Sequence, residues 1–318
     1  DMTFVIPSFK SKSVDKLLIK FGFKNLSSLD FDTHYQLSNS GLNFSIFKSG
    51  DFRDDSGFYF TYGNFSMLST VDSNYLNFFR LPVDITLFAS SFAGGASGYP
   101  LCFEDLSESE KLNILKKNKK VLKSIVKNNF LLSKAEYFLP YAGFFKEKAK
   151  RDIYIKENNM KSSVSEYEET FHKQLINIWK NDQFVFKDNK LTSKSNLERH
   201  NSHDLVEEFY EDIFNKIEVS NSYLEDYFLK SSFRDNLKIY VQLTNDTFSK
   251  IYKMISVDFS SDKPIVSFKS FDWEKEKWEK DAINSNRKLL IKVRQDSFNW
   301  VVKNKYPWED LSIGFQCR

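Results

Sequence analysis

The stretch SSFAGGASGYP, Ser90 to Pro100, places three of the chain's ten glycines within eleven residues. Glycine adopts backbone angles that other residues avoid and lets another group approach the main chain closely. The stretch looks superficially like the G-x-S-x-G turn that carries a nucleophilic serine, but the required order of strand, serine and helix is missing. Its glycines therefore indicate either a tight structural turn or a loop whose backbone approaches a ligand.

Length and composition are those of an ordinary globular protein. The chain has 318 residues, enough for two domains, with 41% hydrophobic and 28% charged residues. A net charge of +3 is too small to indicate a nucleic-acid or membrane-surface partner. Cys102 and Cys317 form neither a disulfide framework nor a zinc site and fit a reducing cytosol. No apolar run is long enough to span a membrane and no signal peptide opens the sequence, so we predict a cytoplasmic protein.

Hydrophobic periodicity predicts alternating strands and helices in the first part of the chain. Residues 3–9, TFVIPSF, indicate a strand, and Ser13 is the predicted N-cap of the helix that follows. Gly63-Asn64 is typical of a two-residue hairpin turn, because both residues tolerate positive φ. The segment Ser107 to Glu110 has the S-x-x-E capping box that begins a long lysine-rich helix. We therefore predict an α/β fold for residues 1–150.

The remainder of the chain has a different character. Residues 151–204 are polar and poorly periodic and suit an extended excursion or linker, with one helix near Glu166 to Lys180. From residue 205 onward, helical segments precede the stretches LKIYVQLT, KIYKMISVDFS and PIVSFKSF, in which apolar and polar side chains alternate. This alternation predicts an α+β C-terminal region, residues 205–318, with antiparallel strands.

Acidic side chains gather in SGDFRDDSG, residues 49–57, and recur after the strand that ends at Val71. The predicted hairpin brings Asp54, Asp55 and Asp72 to one end of a sheet. Converging carboxylates bind a hard metal ion or take part in proton transfer. The alternative, a solvated loop with Asp72 capping a turn, is favoured on spacing alone.

A histidine pair is the other candidate for metal binding. His200 and His203 are spaced to share one face of a helix. No third ligand lies near them in sequence, so a surface pair is the favoured interpretation. The sequence contains no H-E-x-x-H motif and no P-loop.

Several segments resemble the C-terminal part of the CMP-N-acetylneuraminate hydroxylase family, iron-dependent monooxygenases with a metallo-β-lactamase fold. The matching segments are STVDSN (Ser69–Asn74), FAGGASGYP (Phe92–Pro100), LPYAGFF (Leu139–Phe145), DIYIKENN (Asp152–Asn159) and WEDLSIGFQCR (Trp308–Arg318). They lie in the family's order with similar spacing, and the resemblance is weak only between Phe171 and Leu237. It implies that residues 1–150 form the second half of a metallo-β-lactamase-like domain of the αββα type.

The resemblance also implies a function and a set of site residues. In the family, electrons pass through a Rieske 2Fe-2S cluster to an iron site, and molecular oxygen hydroxylates the N-acetyl methyl group of a CMP-sialic acid. Asp72 keeps the fold's bridging-aspartate position and Asp55 matches an acid in the neighbouring loop, so both are implied metal ligands. Substrate contacts are implied for Gly94, Gly95, Ser97, Gly98, Tyr141, Tyr154 and Lys156. An electron-transfer protein such as cytochrome b5 or a ferredoxin is the implied partner.

The sequence departs from the family in several places. The Rieske domain and the H-x-H-x-D-H metal motif are absent from it, Phe52 or Arg53 stands where the family has a histidine, and Ser91 replaces an aspartate. We expect a fragment of a longer protein, inactive by itself, with a natural half-protein as the alternative.

Two further functions remain open. A metallo-β-lactamase-fold hydrolase would attack a phosphoester or lactone with a metal-bound water. A non-catalytic binding subunit would keep the fold and lose the metal, consistent with the departures at Phe52 or Arg53 and at Ser91. Sequence upstream of residue 1 would separate the oxygenase from the hydrolase, because only the oxygenase requires Rieske ligands.

Overall fold

A computed structural model describes residues 3–51, 53–73, 75–143, 147, 149–176, 183–187, 190–194, 217–277 and 287–318. The histidines His200 and His203 and Phe52 lie outside these residues, and so does the start of the predicted α+β region, residues 205–216. The strands are β1 (Phe4–Pro7), β2 (Leu26–Leu29), β3 (Tyr35–Gln36), β4 (Leu42–Lys48), β5 (Ser56–Tyr62), β6 (Phe65–Val71), β7 (Leu87–Ser90), β8 (Tyr137–Pro140), β9 (Gln183–Lys187), β10 (Lys190–Lys194), β11 (Leu237–Thr244), β12 (Ile251–Asp258), β13 (Ile265–Ser267) and β14 (Arg287–Arg294). The helices are α1 (Ser13–Lys20), α2 (Glu108–Ser133), α3 (Ile153–Asn158), α4 (Ser165–Phe171), α5 (Asn221–Leu229), α6 (Trp273–Glu276), α7 (Gln295–Asn304) and α8 (Glu309–Ile313).

Residue contacts divide the chain into two compact units. The first comprises Asp1–Gly94, Lys116–Phe145 and Met160–Arg199, and the second comprises Gly95–Leu115, Lys146–Asn159 and His200–Arg318. The fold is mixed α/β with several sheets, mostly antiparallel, and none of the sheets in the described ranges closes into a barrel. The predicted domain boundaries near residues 150 and 204 stay predictions.

The main sheet of the first unit has six strands in the order β3-β4-β5-β6-β7-β8. Its first four strands pair antiparallel, and the predicted hairpin is confirmed, since Tyr62 pairs with Phe65 across Gly63-Asn64. Strands β6, β7 and β8 pair parallel. Parallel neighbours need a crossover connection, and α2 provides it between β7 and β8.

The starts of two helices can be compared with their predicted caps. At α2 the capping box is confirmed, because the Ser107 amide donates to the Glu110 carboxylate at 2.8 Å. At α1 the predicted N-cap is wrong by one position: Ser13 is the first helical residue, and Lys12 precedes it with a φ of 52° and no side-chain cap. Serine is favoured one position earlier because only there does its hydroxyl reach the free helix amides.

The second unit is built on a four-stranded sheet in the order β13-β12-β11-β14. Strands β11, β12 and β13 pair antiparallel, as predicted from their alternation. Strand β14 pairs parallel with β11, which differs from a purely antiparallel region. The polypeptide between β13 and β14 includes α6 and is long enough for the crossover that a parallel pair requires. In the described part of the chain, no helix has both the length and the apolar character needed to cross a bilayer.

Candidate functional site

The carboxyl edge of strands β6, β7 and β8 is the candidate site of the first unit. The three strands run parallel, so the residues that follow them, Asp72, Ser91 and Tyr141, lie at one edge. The Ser91 amide donates to the Val71 carbonyl at 2.7 Å, and the Tyr141 amide donates to the Ser90 carbonyl at 3.0 Å. Ligands of α/β sheets bind at this end of parallel strands.

The loop between β4 and β5 reaches the same edge, because β5 lies between β4 and β6 and pairs antiparallel with both, so that the start of β5 lies beside the end of β6. The Gly50 amide in this loop donates to the Tyr75 carbonyl at 3.0 Å. A Cβ at Gly50 would lie 2.3 Å from that carbonyl oxygen, which explains the absence of a side chain there. The loop is therefore held against the residues that follow β6.

The predicted acids converge, but they converge on an arginine. Arg53 donates from Nε to Asp51 at 2.8 Å and from Nη1 to the Asp72 carboxylate at 3.2 Å. Its Nη2 donates to the Asp72 carbonyl at 3.3 Å and lies 3.7 Å from the Asp55 carboxylate. We call these residues, Asp51, Arg53, Asp55 and Asp72, the arginine–carboxylate cluster. Asp54 is exposed beside it.

Charge pairing shifts the pKa values within this cluster. Partial burial acts to raise the pKa of Asp51, but hydrogen bonds from the Arg53 amide and guanidinium outweigh it, so this pKa lies below its usual value. For Arg53, burial acts to lower the pKa, and the contacts with Asp51 and Asp72 outweigh that effect and raise it. Asp51 and Arg53 are thus both charged at neutral pH.

The residues of the arginine–carboxylate cluster do not fit a metal ion. In the described residues, no group of three or more His, Cys, Asp or Glu side chains is arranged to hold one. The carboxylates of Asp55 and Asp72 instead face the guanidinium of Arg53. Metal binding by Asp55 and Asp72 stays a prediction, and Arg53 is the residue whose role sequence reasoning missed. An arginine between Asp51 and Asp55 was the available signal.

The backbone immediately before Asp72 is strained. Val71 has a φ of 50°, in the left-handed region that β-branched residues rarely adopt, at an irregularity in the pairing of β6 with β7. Ser73, which follows Asp72, is fully buried, and its hydroxyl has no hydrogen-bond partner among the described residues. Such features mark positions that the surrounding structure fixes against local preference.

Different structural requirements explain why glycine occupies positions 94, 95 and 98. Gly94, the last residue of its segment in the first unit, has a φ of 68°, and Gly95, which begins the second unit's segment, has a φ of 75°. Both positions need the left-handed freedom of glycine. Gly98 has no such angle, but a Cβ there would lie 3.1 Å from the Ser312 carbonyl oxygen and 3.2 Å from the Cys102 sulfur. Protein atoms therefore pack closely around Gly98, and a side chain there would require them to shift by a few tenths of an ångström.

Tyr154 lies in a charged group of the second unit. Its hydroxyl donates to the Glu108 carboxylate at 2.9 Å, and the buried Lys111 ammonium donates to Glu108 at 2.9 Å and to the Tyr154 hydroxyl at 3.4 Å. Burial acts to lower the pKa of Lys111, but the contacts with Glu108 and Tyr154 outweigh it and raise the pKa. Lys156 is exposed on α3, and Ser97 is exposed with its hydroxyl accepting from the Tyr99 amide at 3.2 Å.

No protein-family model matches this chain. A protein of Danio rerio named cytidine monophosphate-N-acetylneuraminic acid hydroxylase is 29% identical over 278 residues, covering 81% of this chain and 45% of the relative. Proteins of the same name from Sus scrofa and Mus musculus are 28% and 26% identical, covering 89% and 93% of this chain and 68% and 53% of each relative. The resemblance to CMP-N-acetylneuraminate hydroxylases is confirmed. The chain spans about half the length of most of these hydroxylases.

Three of the hydroxylase-like segments meet within the second unit. The Asn159 side-chain amide donates to the Gly95 carbonyl at 2.9 Å, and Gly98 packs against Ser312. Arg294 of β14 forms an ion pair with Asp152 and donates to the Gln316 side chain at 3.0 Å. Segments that are distant in sequence therefore form one continuous structure there. The first unit brings Asp55 and Asp72 to Arg53, and the second brings Gly95 to Asn159 and Gly98 to Ser312.

Neither cysteine has the properties of a reactive thiol. Burial, followed by the proximity of Cys317, raises the pKa of Cys102 from 9.0 to about 12, and burial raises that of Cys317 from 9.0 to about 11. Nucleophilic cysteines instead have lowered pKa values. A catalytic role for either thiol has no support in the structure.

We expect iodoacetamide to alkylate Cys102 at pH 8 about a thousandfold more slowly in the native protein than in denaturant, since a pKa three units higher leaves that much less thiolate. For Cys317 the corresponding difference is about a hundredfold. Peptide mass spectrometry after timed quenching measures both rates. Comparable rates in native and denatured protein would show that the thiols are ionised or accessible in the fold.

Proposed function

We propose that this chain is part of a monooxygenase similar to CMP-N-acetylneuraminate hydroxylases and that it contributes to the binding of CMP-sialic acid or a related nucleotide sugar. The observation that carries the proposal is the meeting of the hydroxylase-like segments around Gly95, Gly98 and Asp152 in the second unit. Sequence similarity over 81–93% of the chain supports it.

The first unit fits the proposed half of a metallo-β-lactamase-like domain. Its mixed sheet ends in parallel strands with α2 as the crossover, and Asp72 follows β6 as the fold's bridging aspartate would. In this proposal, the polar residues 151–204 connect it to a C-terminal domain over 205–318. The complete protein would be cytoplasmic, as its cysteine content favours.

The residues implied in substrate contact differ in whether their polar groups are already engaged with other protein groups. Lys156 is exposed and forms no ion pair with any described residue, so its ammonium is available to a phosphate or carboxylate. Ser97 is exposed and its hydroxyl hydrogen is available as a donor. Tyr141 is half-buried after β8, and Gly94 and Gly95 are half-buried positions without side chains. By contrast, Tyr154 and Gly98 are engaged with protein and would position the site.

The cofactors and redox partner of the complete enzyme are also proposals. Iron or another divalent metal would activate oxygen, and a Rieske cluster would deliver electrons from a protein such as cytochrome b5 or a ferredoxin. Because Asp55 and Asp72 face Arg53, their present arrangement contributes no metal ligands. The role left to this chain is to bind and orient the nucleotide sugar.

Calorimetric titration with CMP-N-acetylneuraminate tests the binding role. We expect saturable binding by the chain as given, and Lys156→Ala is expected to weaken it about tenfold, the usual effect of losing a charged hydrogen bond. Lys263→Ala is the matched control, because Lys263 is an exposed lysine without an ion pair among the described residues and is not implied in binding. The chain by itself is expected to form no hydroxylated product.

Two results would overturn the proposal. Absence of any binding at millimolar nucleotide sugar would remove the substrate role, and product formation by this chain without added protein would show that no missing part is needed. The arginine–carboxylate cluster favours a second candidate, a non-catalytic subunit that binds the same ligand. Hydroxylation after completion of the chain with the remaining sequence would exclude that candidate.

A further inference from the structure

We infer that Arg53 is the resident cation of the arginine–carboxylate cluster and that Asp55 and Asp72 hold this guanidinium in place of a metal ion. The inference concerns the first unit by itself and does not depend on the proposed nucleotide-sugar binding. It assigns Arg53 a positioning role, because this side chain joins the β4–β5 loop to the residue that follows β6.

The geometry matches a guanidinium. Arginine presents its N–H donors in a planar fork that carboxylates accept from several sides. Here Nε of Arg53 donates a hydrogen bond to the Asp51 carboxylate at 2.8 Å. Its Nη1 donates to the Asp72 carboxylate at 3.2 Å, and its Nη2 donates to the Asp72 carbonyl at 3.3 Å. The Arg53 amide also donates to Asp51 at 2.9 Å, which fixes the start of the side chain.

The spacing does not match a metal ion. Carboxylate oxygens surround calcium, magnesium or zinc at about 2.0–2.6 Å from a common centre. The carboxylates of Asp51, Asp55 and Asp72 are instead spread around different nitrogens of one extended group, with Asp55 at 3.7 Å. A metal would have to draw these oxygens together and displace a side chain that carries its charge at every physiological pH.

The charge balance gives Arg53 its structural effect. Three carboxylates close together repel one another, and the single guanidinium offsets this repulsion. The side chains are only partly buried, with Arg53 42% and Asp72 57% exposed, so solvent weakens each pair. The contribution of these ion pairs to the stability of the first unit is therefore moderate. Their main effect is to fix the position of Asp72.

Thermal denaturation with manganese or zinc chloride tests the inference. The unaltered chain is expected to have the same Tm in 1 mM Mn²⁺, Zn²⁺ or EDTA and to retain no metal after dialysis. Arg53→Gln is expected to lower the Tm by about 2–4 °C, the shift that a loss of about 1 kcal/mol gives in a domain of this size. Arg53→Lys keeps the positive charge but lacks the planar set of guanidinium donors, so its Tm is expected to lie between those of Arg53→Gln and the unaltered chain.

A double-mutant cycle with Asp72→Asn provides the control. If Arg53 and Asp72 interact directly, Arg53→Gln has a smaller effect on Tm in the Asp72→Asn background than in the unaltered chain. Arg287→Gln serves as the matched arginine, since its pair with Asp235 is exposed and lies in the other unit. One equivalent of retained metal that disappears on Asp72→Asn would overturn the inference, and so would an Arg53→Gln variant with unchanged Tm.

Discussion

Replacement of Phe138 by alanine is expected to lower the free energy of unfolding of the first unit by about 3–5 kcal/mol. Phe138 lies in the middle of β8 and is fully buried. Its ring centroid is 4.7 Å from that of Phe171, 5.7 Å from Tyr167, 5.8 Å from Phe88 and 6.4 Å from Phe130. The alanine variant loses both the transfer free energy of the ring and the contacts around the cavity that remains.

Urea denaturation combined with hydrogen exchange of the β7 and β8 amides measures this effect and assigns it to the first unit. Phe21→Ala is the matched control, because Phe21 belongs to the same unit and is 70% exposed. Its expected effect is within about 0.5 kcal/mol. Equal effects of the two substitutions would mean that the ring cluster around Phe138 is not the core of this unit.

The local features of the fold were accessible from sequence because they depend on neighbouring residues. The Gly63-Asn64 hairpin follows from the backbone preferences of two adjacent residues, and the contact from the Ser107 amide to Glu110 follows from a four-residue motif. The alternation in β11, β12 and β13 likewise predicts their antiparallel pairing. Each signal is contained within a few residues or within adjacent strands.

The features that sequence reasoning missed depend on distant residues. The parallel pairing of β14 with β11 depends on the path of a long connection, and local hydrophobic periodicity does not predict that path. The left-handed Val71 contradicts the preference of a β-branched residue and is fixed by the pairing of β6 with β7. The convergence of Asp55 and Asp72 could be predicted from the hairpin, whereas Arg53 at its centre required side-chain positions.

Arg294 joins two of the hydroxylase-like segments, and we expect Arg294→Met to lower the free energy of unfolding of the second unit by about 3–5 kcal/mol. Its side chain is only 4% exposed and forms an ion pair with Asp152, which is 13% exposed. It also donates to the Arg151 carbonyl at 2.7 Å, the Asp246 carbonyl at 3.0 Å and the Gln316 side chain at 3.0 Å. Methionine fills much of the same volume, so the expected loss comes from the buried carboxylate and carbonyls left without a donor.

Arg287→Met is the control for this substitution, because Arg287 lies at the other end of the same strand and pairs with Asp235 at the surface, with 68% of its side chain exposed. Exposed pairs contribute about 0–1 kcal/mol, so denaturant unfolding should separate the two variants clearly. The double variant Arg294→Met with Asp152→Leu provides the decisive measurement. If the cost of Arg294→Met comes mainly from an uncompensated Asp152, the double variant is more stable than the sum of the single effects predicts. Strict additivity would instead assign the cost to the lost hydrogen bonds with the backbone and Gln316.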